Sequence, residues 1–452
     1  MKASARVVIC GGGVAAMEAL LALREILPLP LHPHIDLVAP NSRFVYQPMA
    51  VAEPFGLART RLFNIREIAG EFHSELHVGS LVRVNGAERS VELDRGASLP
   101  YDAAIVAVGA RRKAWLEGAI SFGGTADAPT FAELLGRLEE GDVGRLAFTS
   151  PPGMSWTLPL YELALLTASR LAELGVTGVE LTVITPEAEP LAIFGAAASR
   201  MLGGQLSDRG IRLRVGATVQ KLRSGRAELS SGETIEIDEV VALPRLLGPA
   251  IEGLPCDAEG FVEIDEHCRV VGLEDVYAAG DGTSFPIKQG GIATQQAGVA
   301  VEWLAAGLGA PVRPLRFEPL LRGMLLTGLA PVYLRAVVGE QGGENGAVAA
   351  NALWWPPTKI AGRHLGPYLA RSGPVGERAL LEDRAVSTRD PAAQQEAHRE
   401  SRELALLFAE SDARGGDFHS ALGWLEVIEQ LDGVLPAGYL QKRDTWETLV
   451  DR

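Results

Sequence analysis

The sequence predicts an α/β fold of two Rossmann-like dinucleotide-binding domains, the second inserted in the first, plus a small C-terminal region and a helical tail. Three observations carry that prediction. Arg6 to Gly13 reads as a buried strand entering a glycine turn, and Val14 to Ile26 then recurs apolar at helical spacing. A second strand–turn–helix–strand unit, from Arg145 to Ile184, echoes the first. Val276–Ala279 then runs into Gly280-Asp281-Gly282 and a further helix, which resumes the first domain.

Taken in order, the first helix is ended by Pro28-Leu29-Pro30, because proline cannot continue it. Ile35–Ala39 then completes a β-α-β unit of about 30 residues. Strand-like segments follow at Leu76–Val84, Ser90–Leu93 and Ala103–Val108, with Asn85-Gly86 as a turn. In the second unit, Arg145–Thr149 enters Pro151-Pro152-Gly153, a helix runs from about Leu158 to Leu174, and Glu180–Ile184 is the next strand. The helix after Asp281 spans about Gly291 to Leu308. Beyond Pro311, Leu325–Val338 and Ala347–Trp355 read as strands, and Trp354-Trp355-Pro356-Pro357 as a rigid aromatic stretch. The domains so drawn are 1–110 with 240–313, then 111–239, then a β-containing region 314–371, then a tail 390–452.

That tail is polar and helical. Within it, Ala405–Pro436 has the helix–turn–helix spacing of a single tetratricopeptide-like hairpin, turning at Gly416-Asp417. Phe408, Phe418, Leu422 and Trp424 recur on its inner side, and one such repeat cannot bury its own apolar face. The parent domain, a second copy of the chain or a partner protein must cover it.

Composition excludes several classes of function. The 452 residues carry 57 acidic against 42 basic side chains, a net charge of −15, and no basic block, so nucleic acid is not an expected partner. With 47% hydrophobic residues the chain is globular. Cys10, Cys256 and Cys268 form neither a C-x-x-C pair nor a zinc-type spacing, so no metal centre is expected and a reducing compartment fits. The first residues lack the apolar run of a secretory signal. Gly323–Leu334 is too short for the roughly 20 residues of a spanning helix. A cytoplasmic chain is expected, with peripheral contact to a membrane left open.

Gly11-Gly12-Gly13-Val14-Ala15-Ala16 satisfies G-x-G-x-x-G/A after a strand and at a helix start. In that position the glycines admit a pyrophosphate to backbone N–H groups, and the helix dipole supports its charge. The acidic residue expected at the end of the second strand is replaced by Ala39-Pro40-Asn41, where Asn41 can still hydrogen-bond a ribose hydroxyl.

Four segments together resemble the two-dinucleotide-domain flavoproteins, and within them the sulfide:quinone oxidoreductases and type II NADH dehydrogenases. They are the glycine turn, Phe44-Val45-Tyr46-Gln47-Pro48, Tyr101–Ala110 with its final Gly109-Ala110, and Val276–Asp281. The resemblance covers about Arg6 to Ala370 and leaves the tail outside. It implies FAD as cofactor, its pyrophosphate cradled by Gly11, Gly13 and Ala16. Gly109 would close the segment beside it, and Asp281 after Gly280 would hold the ribityl chain. Lys288, in Pro286-Ile287-Lys288-Gln289-Gly290-Gly291, would face the flavin's pyrimidine edge; a solvated lysine fits the same spacing. Gln295-Gln296 are similar to glutamines on the quinone side. Glu162 falls on the family's helix glutamate near the flavin, where a carboxylate relays protons, although a surface glutamate fits as well.

The departures from the family pattern are informative. In the second unit the nucleotide-binding glycine turn is replaced by Ser150-Pro151-Pro152-Gly153-Met154-Ser155-Trp156. Proline offers no N–H to a phosphate, and Trp156 would crowd the cleft. A catalytic cysteine is absent there and the second redox thiol is absent beyond Cys268, so the family's persulfide route is closed. The expected function is an FAD-dependent oxidoreductase passing electrons from an unidentified small-molecule donor to a quinone-like acceptor. The alternatives are an NAD(P)H dehydrogenase with an atypical nicotinamide site, or a flavin-binding assembly module whose tail recruits a partner.

Overall fold

A computed structural model describes residues 5–27, 32–339, 342–354 and 358–371, and in the tail 405–406, 409–410, 412–414, 416, 418–432 and 434–450. Pro28–Pro30, Trp355–Pro357, Phe408, Asp417 and the start of the tail through residue 404 lie outside the described residues.

Val7 to Cys10 are fully buried, as a strand must be when both faces of its sheet are covered. The Arg6–Cys10 strand is the centre of a five-stranded parallel sheet, ordered Val276–Ala278, Ala103–Val106, Arg6–Cys10, His34–Ala39, Glu75–Val78. On one face lie the Val14–Ile26 and Gly290–Gly307 helices, which share a core with Ile9, Ile35 and Ile105. Small residues at Ala15, Ala16, Ala19, Ala293, Ala297 and Ala300 let these helices pack closely. The opposite face is covered by an antiparallel meander of Leu81–Asn85, Ser90–Leu93 and Ser98–Pro100.

The second parallel sheet is ordered Ile120–Ser121, Glu239–Ala242, Arg145–Thr149, Glu180–Ile184, Arg212–Arg214. Its buried helix, Leu158–Glu173, is apolar almost all round, with Leu160, Tyr161, Leu163, Ala164 and Leu165 at 0% exposure. All five strands lie between residues 120 and 242, after which Val276–Ala278 pairs with Ala103–Val106 of the first sheet. The fold is therefore two Rossmann-like units, one interrupted by the other.

Two expected strands are broken by turns. Leu76–Val84 is two strands, because the chain turns at Gly79-Ser80; the Gly79 N–H donates to the Ala39 carbonyl and the Ser80 N–H to Asp94. Leu325–Val338 is a hairpin of Leu320–Leu325 and Val332–Gly339. Gly328 adopts φ +79° at its turn, and Pro331, which has no ladder N–H, stands just before the return strand. The third strand of this small antiparallel sheet is Gly342–Ala349, earlier in the chain than the expected Ala347–Trp355.

The tail lies against this sheet. Gly416 turns at φ +80°, the Phe418–Asp432 helix follows, and then Tyr439–Val450, a helix the hairpin reading did not include. Trp424, Leu425, Ile428 and Trp446 share one core with Met324, Tyr333, Leu353 and Trp354, so the parent chain covers the apolar face. The Trp424 indole N–H donates to Asp412 at 3.0 Å. Trp424→Ala should cost about 3–5 kcal/mol, the usual loss for a buried tryptophan. In limited proteolysis the Phe418–Asp432 and Tyr439–Val450 helices should resist cleavage about as well as the two-domain body in the native protein and lose that resistance in Trp424→Ala; early cutting of these helices in the native protein would count against this docking.

Candidate functional site

A cleft of about 1090 Å³ opens where open α/β sheets bind ligands, at the carboxyl ends of the parallel strands. The glycine turn, Gly109, Asn41, Gly280, Asp281, Lys288 and Glu162 all line it. Ala16 does not: it is fully buried in the helix–sheet core, where a small residue permits close packing.

The turn is held tightly. The Gly11 N–H donates to the Val38 carbonyl and the Ala107 N–H to the Cys10 carbonyl, both at 2.7 Å. A Cβ on Gly11 would stand 2.1 Å from the Ala107 oxygen, so only glycine fits. Gly13 is the N-cap of the Val14–Ile26 helix, with no side-chain cap, no acidic residue in the first turn and open space where a side chain would project. The helix thus presents uncapped N–H groups and the positive end of its dipole to the cleft. Asn41 spends its Oδ1 on the Arg43 N–H at 2.9 Å, which leaves its amide donor for a ligand.

Gly109 (φ +72°) and Gly280 (φ +88°) take conformations that favour glycine. The Gly280 N–H donates to Gln296 Oε1 at 2.7 Å. That bond explains why Gln296 is buried and absent from the cleft, against the quinone-side expectation. Gln295 is absent as well, since it is tied to Gly291 and Leu320. Asp281 has no hydrogen-bond partner among the described residues. Burial pushes its carboxyl up, opposed by the charges of Lys288 and Arg112.

Lys288 is not a freely solvated lysine. Its ammonium sits 3.8 Å from the Phe261 ring centroid and donates to the Thr283 carbonyl. Burial lowers it to about 8, against the opposing pull of Asp281. Glu162 is not a surface glutamate either. At 0% exposure it accepts Lys359 Nζ at 2.6 and 2.7 Å and the Leu326 N–H at 2.8 Å. Burial raises the Glu162 carboxyl and lowers the Lys359 ammonium, so the pair shares a proton more readily than either group in water. Sequence reasoning missed Lys359, which no motif marks and which only the folded C-terminal region brings to the cleft.

The second unit presents a different turn. Three residues separate strand from helix in the first unit, whereas Ser150 to Trp156 and Thr157 intervene in the second. Trp156 lines the cleft and packs edge-on against Phe194, ring centroids 5.8 Å apart. Glu187, just after the Glu180–Ile184 strand, is bound inward by the Tyr161 hydroxyl (2.5 Å), Thr185 Oγ1 (3.0 Å) and the Leu191 N–H (3.1 Å). Cys10 and Cys268 are buried, Cys256 is half-buried, and none is disulfide-bonded. Burial pushes the Cys10 thiol up to about 12, which makes it unreactive. A His34, Asp36 and Glu75 group has metal-like spacing, but it lies at the amino ends of the strands, and Arg6 Nε already holds Asp36 at 2.6 Å.

The pyridine nucleotide-disulphide oxidoreductase family model matches residues 163–300. An alternative NAD(P)H-ubiquinone oxidoreductase of Arabidopsis thaliana is 27% identical, over 74% of each chain. An NADH dehydrogenase-like protein of Mycobacterium tuberculosis is 28% identical, over 61% of this chain and 72% of its own. Among solved structures, the sulfide:quinone oxidoreductase of Aquifex aeolicus has a TM-score of 0.67 at 18% identity, covering 76% of this chain and 86% of that one. A ferredoxin reductase of Rhodopseudomonas palustris scores 0.58 at 18% identity, covering 74% and 83%. At such identities the structures speak for the fold.

Two outcomes follow from the buried charges. Lys359→Met strands Glu162 without its counter-ion and should cost about 3–5 kcal/mol, much of it recovered in the Glu162→Gln/Lys359→Met double variant. Denaturant unfolding of the three proteins measures this, and an undiminished loss in the double variant would contradict the pairing. Lys288 titrates near 8 when folded against 10.5 ordinarily, so between those values the unfolded chain binds more protons and stability rises with pH. The native protein should therefore gain on Lys288→Met between pH 8 and 10, as unfolding curves at the two pH values will report.

Proposed function

We propose a function from one premise: the chain is an oxidoreductase of the two-dinucleotide-domain group that includes the sulfide:quinone oxidoreductases and type II NADH dehydrogenases. It binds FAD and passes electrons from a small-molecule donor through the flavin to a quinone-like acceptor. The observation that carries this reading is one cleft holding both an uncapped helix N-terminus at a glycine turn and a buried carboxylate–ammonium pair.

The residues fit FAD. Gly11 allows the tight turn, the open position at Gly13 gives a pyrophosphate access to backbone N–H groups, and Asn41 offers its amide to a ribose. Gly109 leaves room beside the cofactor, and the unpartnered Asp281 meets the ribityl hydroxyls. When bound, FAD accepts an electron pair from one partner and delivers it to another. Lys288 places positive charge at this wall. Glu162 holds a proton between Oε1, Oε2 and Lys359 Nζ and gives it to the acceptor's oxygen as that oxygen gains electrons.

NAD(P)H as donor is the second reading, favoured by the names of the relatives. The longer proline-containing turn, Trp156 in the cleft and the inward Glu187 speak against the usual binding mode. The three separate, unpaired cysteines likewise speak against a dithiol relay. Among the described residues no helix is long and apolar enough to cross a membrane.

Purified protein should carry about one FAD per chain and Gly13→Glu none, because its carboxylate opposes the pyrophosphate. Stopped-flow mixing with NADH or NADPH should reduce the flavin well below the ordinary enzymatic range of about 1–10³ per second. Reduction within that range would favour the second reading. Glu162→Gln should keep FAD yet slow reoxidation of the photoreduced protein by menadione about 100-fold, as loss of a positioned proton donor does.

A further inference from the structure

Arg322 lies in the Leu320–Leu325 strand, registered directly opposite Arg335 of the Val332–Gly339 strand. Directly opposed residues of an antiparallel pair share a face, and like charges placed so are destabilising. Arg335 has an answer, since its guanidinium lies 3.9 Å from Asp412 of the tail. Arg322 has none: its Nε is sealed from solvent without a hydrogen-bond partner, and no carboxylate pairs with it among the described residues.

The remaining surroundings sharpen the imbalance. Arg322 lines the cleft together with Glu162 and Lys359, and those two neutralise each other. Of the other cleft arginines, Arg245 pairs with Glu259, Arg112 donates to Gln47 and Arg111 to the Gly248 carbonyl, while Arg43 is exposed, where water answers its charge. Gln289, the N-cap of the Gly290–Gly307 helix, donates from Nε2 to the Arg322 carbonyl at 3.1 Å, which fixes the strand against the positive end of that helix. Arg322 therefore lines the same cleft as the buried proton-holding pair, on a strand whose backbone is tied to the helix N-cap, with a sealed Nε that has no partner.

We propose that Arg322 is the recognition group for an oxyanion, a carboxylate, sulfonate or sulfur oxyanion, carried by the small molecule that exchanges electrons here. The inference rests on the cleft's being the flavin and acceptor site, and it names the substrate class of that site. The guanidinium fork matches a planar or tetrahedral oxyanion with two N–H donors, which a lysine in its place would not. A neutral quinone would leave the charge unanswered.

The test uses the FAD-loaded, oxidised full chain and two probes of similar shape, 1,4-naphthoquinone-2-sulfonate and the neutral menadione. Isothermal titration calorimetry should show the sulfonate bound at least about tenfold more tightly, the scale of a hydrogen bond to a charged group. Arg322→Gln, which also relieves Arg335 of its like charge, should weaken the sulfonate about 10- to 100-fold while menadione stays within about twofold. Arg322→Lys should recover part of that loss.

Equal binding of the two probes by the native protein, no measurable binding of the sulfonate, or a preference that persists in Arg322→Gln would each overturn the inference. So would loss of FAD from Arg322→Gln with the preference intact, because Arg322 would then serve the cofactor's own phosphates. The quinone reading fails separately: if the sulfonate binds selectively yet neither probe reoxidises the photoreduced flavin, the recognition stands and the acceptor class falls.

Discussion

The molecule is held together around its cleft by two buried carboxylates that occupy the same place in two helices. Glu18 is the fifth residue of the Val14–Ile26 helix and Glu162 the fifth of the Leu158–Glu173 helix. Glu18 receives the His364 and Leu365 N–H groups at 3.0 and 2.7 Å, at the start of the Leu365–Arg371 helix. Glu162 receives Lys359 and the Leu326 N–H. Each unit thus extends one buried acid to the C-terminal region, and that region closes the cleft by binding both. A buried acid left alone would be far more costly than an apolar residue in its place, so the two domains and the C-terminal region hold a fixed relation as long as both acids are satisfied. Gly362 belongs to the same arrangement, since a Cβ there would stand 2.5 Å from Glu18 Oε2.

Much of this was legible in the sequence, and what was not has a common physical cause. Buried strands with unbroken apolar runs, such as Arg145–Thr149 and Glu180–Ile184, could be bounded from sequence because both of their faces are covered. The glycine turn declared itself through its place between strand and helix. Breaks at Gly79 and Gly328 were hidden inside apolar runs, where a turn costs the pattern nothing. Lys359 and Arg322 were invisible for another reason: no local pattern marks either, since Lys359 acquires its meaning from Glu162, 197 residues away, and Arg322 from the strand register and the cleft wall it joins. Gln295 and Gln296 show the converse limit. A motif fixes the helix, but packing decides which of its faces meets the cleft, and here both amides are spent inside the fold, on backbone and on the Thr283 hydroxyl.

The two units have parted in chemistry while keeping one geometry. The first offers bare backbone N–H groups to an anion. The second fills the corresponding ground with prolines, Trp156 and an acid turned toward Tyr161. The prolines and Trp156 of the second unit line the cleft, and the Leu320–Leu325 strand of the third sheet adds Arg322 to it. The tail is continuous with this scheme: its Asp412 neutralises Arg335, so the apolar hairpin also sets the electrostatics of the sheet behind the cleft.

The interrupted first sheet also dictates how the chain can be made. Ala104 finds its edge partner only in Val276, 172 residues later. During synthesis at about 5–20 residues per second, the Ala103–Val106 strand waits on the order of 10–30 seconds with an apolar edge unpaired. All five strands of the second sheet emerge within that interval, so the inserted unit can finish folding while its host is still open. A nascent chain stalled before residue 276 would hold one complete domain and a four-stranded sheet with one sticky edge, the kind of intermediate that holding chaperones exist to shield.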